Sequence, residues 1–290
     1  MHTEMKVAKK RDANQVFGAD QATKQGFQTR NVMKDDFGME TPVESVPLPS
    51  EGKIYPSDSA SHNRETIEIR AMTAREEDIL TSRALIKKGT VISELLRSCI
   101  VDKNIDVDKL IAGDRNAVMT AIRVTGYGAD YEVEIECPSC SEKSRQTFDL
   151  AELPIKRLEI DPVEFGENLF EFELPATKKR VHFKFLTGQD EQRMSIESDR
   201  RKKAKLGGDV DNLVTNRLMY SIVSVEDVTD KAKIRSFIGN MPARDSRALR
   251  KHMDDSEPGV EMKSWMDCSS CFESSEVNLP IGASFFWPDA

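Results

Sequence analysis

Hydrophobic and polar residues follow a regular period along most of this chain, but not along its first 43 positions. There Phe17, Phe27, Val32, Met33 and Phe37 are scattered without a helix or strand repeat. Residues 1–43 therefore read as an extended or disordered arm that buries too little surface to fold alone. The isolated phenylalanines are its candidate anchors on a partner. From residue 44 the pattern sharpens. Pro47, Pro49 and Pro56 bias their predecessors toward extended backbone, which predicts a strand-like segment over 44–58 with a turn at Ser50, Glu51 and Gly52. Residues 65–70 alternate, with Ile67 and Ile69 on one face, as a half-buried strand does.

Three helices follow. Thr73 and Glu76 have the spacing of a capping box, so a helix is expected over 74–87, ending at Gly89. Val91, Ile92, Leu95, Leu96, Cys99 and Ile100 make one apolar stripe for a second. Val118, Met119 and Ile122 face inward on a third, over 114–125. Residues 130–136 (DYEVEIE) alternate strictly into Cys137-Pro-Ser-Cys140, and 146–150 look like the returning strand. Residues 168–174 and 180–186 alternate again and predict a hairpin. Helical spacing returns over 188–206, 211–225, 231–238 and 243–253. A strand over 259–266, Cys268-Ser-Ser-Cys271 and a strand over 276–281 complete the pattern.

This order predicts an α+β protein: a helical subdomain, a small β zinc ribbon made by two distant CxxC knuckles, and the extended N-terminal arm. The expected divisions are 1–43 for the arm, 44–129 for the first strands and helices, and 130–150 for the first knuckle hairpin. An inserted hairpin and helical subdomain would span 151–257, and the second knuckle with the aromatic C-terminus 258–290.

The cysteines carry the chemistry. A tight CxxC hairpin aims two sulfurs at one spot, and two such knuckles give the tetrahedral set that suits structural Zn²⁺. Here 127 residues separate Cys140 from Cys268, far more than the ~15–20 of a compact ribbon. The matching strand–knuckle–strand context on both sides favours one shared site of Cys137, Cys140, Cys268 and Cys271. A redox pair, a disulfide within each knuckle, and two unrelated turns are the competing readings. Cys99, on an apolar helix face, reads as core. Four cysteine ligands would leave no open metal position, which marks a structural site rather than a catalytic one. No phosphate-binding loop, HExxH or nucleophile elbow occurs, and His2, His62, His182 and His252 all lie away from the cysteines, so the chain does not read as an enzyme.

Composition narrows this further. The formal net charge is −8 with 32% charged residues, against the basic balance of a nucleic-acid binder. The one dense basic run is Arg200 to Lys205, at a predicted helix end, and a nucleic-acid-binding ribbon would have to use it. No segment approaches the ~20 apolar residues of a membrane span, and the first residues lack the apolar core of a secretory signal. Synthesis in a reducing cytoplasm is the expectation. The aromatics Phe285, Phe286 and Trp287 either plug the protein's own core or bind a partner.

Five segments resemble a known family. Residues 46–56 (VPLPSEGKIYP), 69–80 (IRAMTAREEDIL), Gly113-Asp114-Arg115, Tyr127 and Tyr131 with Cys137-Pro-Ser-Cys140, and Phe285-Phe286-Trp287-Pro288 are similar to baseplate hub and hub-assembly proteins of T-even-like contractile-tail bacteriophages. The resemblance covers about residues 44–290 and does not extend to the arm or to the charged stretch near 188–210. It implies a structural component of the virion's tail baseplate, or a hub assembly chaperone absent from the finished particle, in either case without enzymatic activity. The implied partners are other tail and baseplate proteins, bound through the arm and the C-terminus, with further copies of the chain as another option.

Overall fold

A computed structural model describes residues 32–34, 38, 40–203, 213–281 and 285–286. Helices and small antiparallel sheets alternate along it. Strands β1 (Val32–Lys34), β2 (Glu40–Pro47) and β3 (Thr66–Arg70) form one sheet. Helices α1 (Ala74–Thr81), α2 (Arg83–Lys88), α3 (Val91–Cys99) and α4 (Ala112–Tyr127) follow. The first knuckle hairpin is β4 (Asp130–Glu136) with β5 (Lys143–Asp149). A short β6 (Ile155–Lys156) precedes the sheet of β7 (Phe170–Glu173), β8 (Arg180–Phe183) and β9 (Ile222–Val225), whose last connection carries α5 (Gly188–Lys203) and α6 (Leu213–Ser221). Helices α7 (Lys231–Gly239) and α8 (Ala243–Ser256) lead to β10 (Gly259–Val260), which pairs with β6. The second knuckle hairpin is β11 (Lys263–Asp267) with β12 (Ser274–Asn278).

Three sequence expectations are corrected here. The helix expected over 74–87 breaks at Ser82, where the Thr81 hydroxyl donates back to the carbonyls of Glu77 and Asp78; such local bonds compete with helix continuation. The helix expected to reach Val225 ends at Ser221, because Ile222–Val225 pairs with β8 as a third strand. The β-branched Ile222, Val223 and Val225 suit that pleated surface better than a helix. Finally, ordered pairing begins before residue 44, since β2 starts at Glu40 and pairs with Val32–Lys34.

Helix α4 is the axis of the fold, buried along most of its length. Its first turn is joined to two distant segments. Asp114, fully buried, accepts from the Ser50 backbone N–H (2.9 Å), the Ser50 hydroxyl (2.5 Å) and the Tyr55 hydroxyl (2.5 Å). Burial raises its pKa, and those three donors oppose the rise. A carboxylate in a helix's first turn also meets the positive end of the dipole. Next to it, Gly113 lets the helix touch the chain before β10: a Cβ there would lie 1.7 Å from the Pro258 carbonyl oxygen. At the other end, fully buried Arg123 donates to the carbonyls of Gly128 (2.6 Å), Asp130 (3.0 Å) and Phe285 (2.6 Å). One side chain thus ties the helix end, the start of β4 and the C-terminal aromatics together. The buried residues from Val46 to Phe286 join in one hydrophobic cluster.

A second buried charge holds β3 to α1 and α3. Glu76 accepts from Arg70 through two bonds (2.6 and 3.1 Å), from Ser98 (2.6 Å), and from the Thr73 N–H (2.9 Å) and hydroxyl (2.7 Å). Burial alone would raise its pKa, but these donors outweigh it and hold the carboxyl at about 2.

Two outcomes follow. Arg123→Met leaves three buried carbonyls without a donor, which should destabilise the protein by about 3 kcal/mol. Urea melting measures the loss, and limited proteolysis should cut the C-terminus first. Glu76→Gln should cost about 3 kcal/mol at pH 6, because it breaks a buried ion pair. A depressed carboxyl contributes stability above its unfolded pKa and loses it as pH falls through the folded one. The gap between the two proteins should therefore close from near pH 4.5 toward about 2; a constant gap across that range contradicts the assignment.

Candidate metal centre

Each cysteine pair sits at the end of a hairpin whose alternation fixes which face is buried. In β4, Tyr131, Val133 and Ile135 point inward, and in β11 and β12 Met266 and Val277 do so. The inward alternation delivers Cys137 and Cys268 buried, at the base of each turn, while Cys140 and Cys271 are exposed. The two turns are built alike. The Cys137 N–H donates to the Glu142 carbonyl (2.9 Å) and the Ser141 N–H to the Cys137 carbonyl (2.8 Å). Cys268 and Phe272 repeat both bonds, at 3.0 Å to Glu273 and 2.9 Å to Cys268. In each turn the residue after the second cysteine has a left-handed backbone, Ser141 at φ 60° and Phe272 at φ 59°. The hairpins form separate two-stranded sheets, and the Tyr131 hydroxyl bonds the Pro280 carbonyl (2.6 Å) between their segments.

All four sulfurs lie within 4.8 Å of one another. The closest approaches across the hairpins are Cys137 Sγ to Cys271 Sγ at 3.8 Å and Cys140 Sγ to Cys268 Sγ at 3.7 Å. A regular tetrahedron with metal–sulfur bonds of about 2.3 Å has edges of about 3.8 Å. The thiols are therefore spaced as ligands of one ion, and they are all free. Their protonation is unequal. Backbone N–H groups of Cys271 and Ser270 hold the Cys268 thiol down at about 7. The Glu142 N–H favours the Cys140 thiolate, but desolvation and the neighbouring thiols push Cys140 up to about 12. Four negative sulfurs cannot share this space without a cation, so metal binding here must release protons. A sulfur-only tetrahedron is the donor set of zinc or of an iron–sulfur centre.

The redox-pair reading has no support in this geometry, because each CxxC leads into a strand instead of opening a helix. Cys99 is core, buried, with its thiol pushed up to about 12 by desolvation. The assignment of Phe285 and Phe286 as partner anchors is corrected. Both are buried, Phe285 edge-on to Tyr131 (5.3 Å) and to Phe286 (5.2 Å), so these two rings plug the protein's own core. Trp287, Phe17, Phe27 and Phe37 lie outside the described residues, as does Lys205 at the end of the basic run. The chain's most exposed aromatic went unread: Phe272, beside the site, whose only sequence signal is its position directly after a CxxC.

The site predicts one tightly bound metal ion per chain. Cys137→Ser or Cys268→Ser should weaken binding at least ~10-fold, the lower end of what even second-shell losses produce, whereas Cys99→Ser should leave metal content unchanged. Elemental analysis after dialysis measures both. Raising the pH from 6 to 8 should tighten binding, since fewer protons then need displacing.

Among the described residues no helix is long and apolar enough to cross a membrane. No curated protein matches the chain, and no solved structure does. A family model described as "T4 bacteriophage base plate protein" matches residues 43–287. That range takes in the Ser50–Asp114 and Arg123 joints and all four cysteines, and the chain belongs to this family.

Proposed function

We propose that this chain is a non-catalytic structural subunit of the hub or inner part of a contractile-tail baseplate, with Zn²⁺ as the ion that holds its two hairpins together. Membership of the baseplate family makes it a phage baseplate component of the virion tail; the finer assignment rests on the metal centre. The observation that carries it is the four-sulfur cluster with ligands from residues 137–140 and 268–271. Such a set closes the shell of a tetrahedral ion and leaves no position for substrate. What it supplies is shape: a rigid double hairpin on the exposed side of a helical core. Zinc is favoured over an iron–sulfur centre because each thiol pair comes from a tight knuckle sized for a single ion.

Quantitative mass spectrometry of purified virions and of infected-cell extracts tests the reading. A subunit is found in virions at a fixed ratio to other baseplate proteins. Presence in extracts with loss from finished particles would instead make the chain a hub assembly chaperone.

A further inference from the structure

Two large aromatics of the second knuckle hairpin face solvent. Phe272 is 88% exposed and Trp265 68%. Single exposed apolar residues are common and need no explanation. Phe272 differs because its backbone works against it. It occupies the left-handed region at φ 59°, where a bulky side chain is an outlier. The first knuckle makes the same turn with the same two hydrogen bonds, and there the position is filled by Ser141 at φ 60°. The turn itself therefore does not ask for phenylalanine. The aromatic ring is strained locally, contributes nothing to the core, and sits at the tip of an element that four thiols can make rigid. Trp265 lies on the outward face of β11, two residues before the last paired position Asp267, or about 7 Å along the strand.

The surroundings of Phe272 are acidic. The two turns, with the residues flanking them, present Glu136, Glu142, Asp267 and Glu273, all exposed, against one ammonium group, that of Lys143. An aromatic anchor ringed by carboxylates has the layout of an interface hot spot with a charged rim. Its complement is an apolar pocket bordered by lysine or arginine.

We propose that the tip of the second knuckle docks into such a pocket on a different baseplate protein, with Phe272 as the inserted anchor and Trp265 covering its edge. This rests on the reading of the chain as a baseplate component and names the surface through which it binds. The metal then has a mechanical purpose, since a rigid tip gives up less conformational freedom on docking. It also relocates the contact from the C-terminal Phe285 and Phe286, which are buried, to the ribbon.

The test uses the encoding phage with its full-length chain. Phe272→Ser copies the first knuckle. The purified variant should keep its metal and melt at or above the wild-type temperature, since backbone strain is relieved, while assembled particles fall at least tenfold. Photo-crosslinking from p-benzoylphenylalanine placed at 272 should join one other baseplate protein, at a peptide where apolar residues stand beside lysine or arginine. Normal particle yield with Phe272→Ser overturns the proposal. So do crosslinks confined to this chain or to a second copy of it. The baseplate reading fails separately, if the chain is found neither in virions nor in tail assembly intermediates.

Discussion

Four thiols from opposite ends of the globular chain meet at one point, and much of the molecule is arranged around that meeting. Sulfurs at 3.7–3.8 Å across two hairpins form a stable group only when a cation balances the thiolates. The link spans the 127 residues between Cys140 and Cys268. Closing a loop of that size removes about 5 kcal/mol of unfolded-chain entropy in the chain-entropy treatment of crosslinks, a sizeable part of a domain's stability. The hairpins then need few contacts of their own: each is a two-stranded sheet, a form that is marginal when isolated.

The rest of the fold places those hairpins. Helix α4 leads directly into β4 through Gly128, and Arg123 holds that junction by its bonds to Gly128 and Asp130. The same guanidinium fastens Phe285, which closes over Tyr131 at the inner face of the first hairpin. At the helix's other end, Gly113 and Asp114 bring in the chain before β10 and the 50–55 turn. The second hairpin begins just after β10, so the position of one end of α4 fixes one knuckle and the other end fixes its partner. On this view the residues shared with the baseplate family around 46–56, 113–115 and 285–286 are joints.

Much of this was legible in the sequence, for physical reasons that differ by element. Strict alternation in 130–136 and paired CxxC spacing gave both hairpins and the ligand set, because period-2 patterning and thiol clustering are local signals. Local signals misled where a tertiary partner decided the outcome. Ile222–Val225 carried helical spacing but was claimed by β8. Thr81 and Ser82 broke a helix whose apolar period ran on. Phe285 and Phe286 could equally have been core or interface from their sequence alone, and the choice was made by a buried arginine 162 residues away. That arginine, like Asp114, had no signal in the pattern of hydrophobicity. Phe272 was missed because only the φ angle of its turn, compared with Ser141, sets it apart.

X-ray absorption at the metal edge of the purified full-length chain probes the centre of this account. Zinc with four sulfur neighbours at about 2.3 Å is the expected result. A spectrum dominated by oxygen or nitrogen neighbours, or a protein that folds and melts as usual with no metal bound, would contradict it.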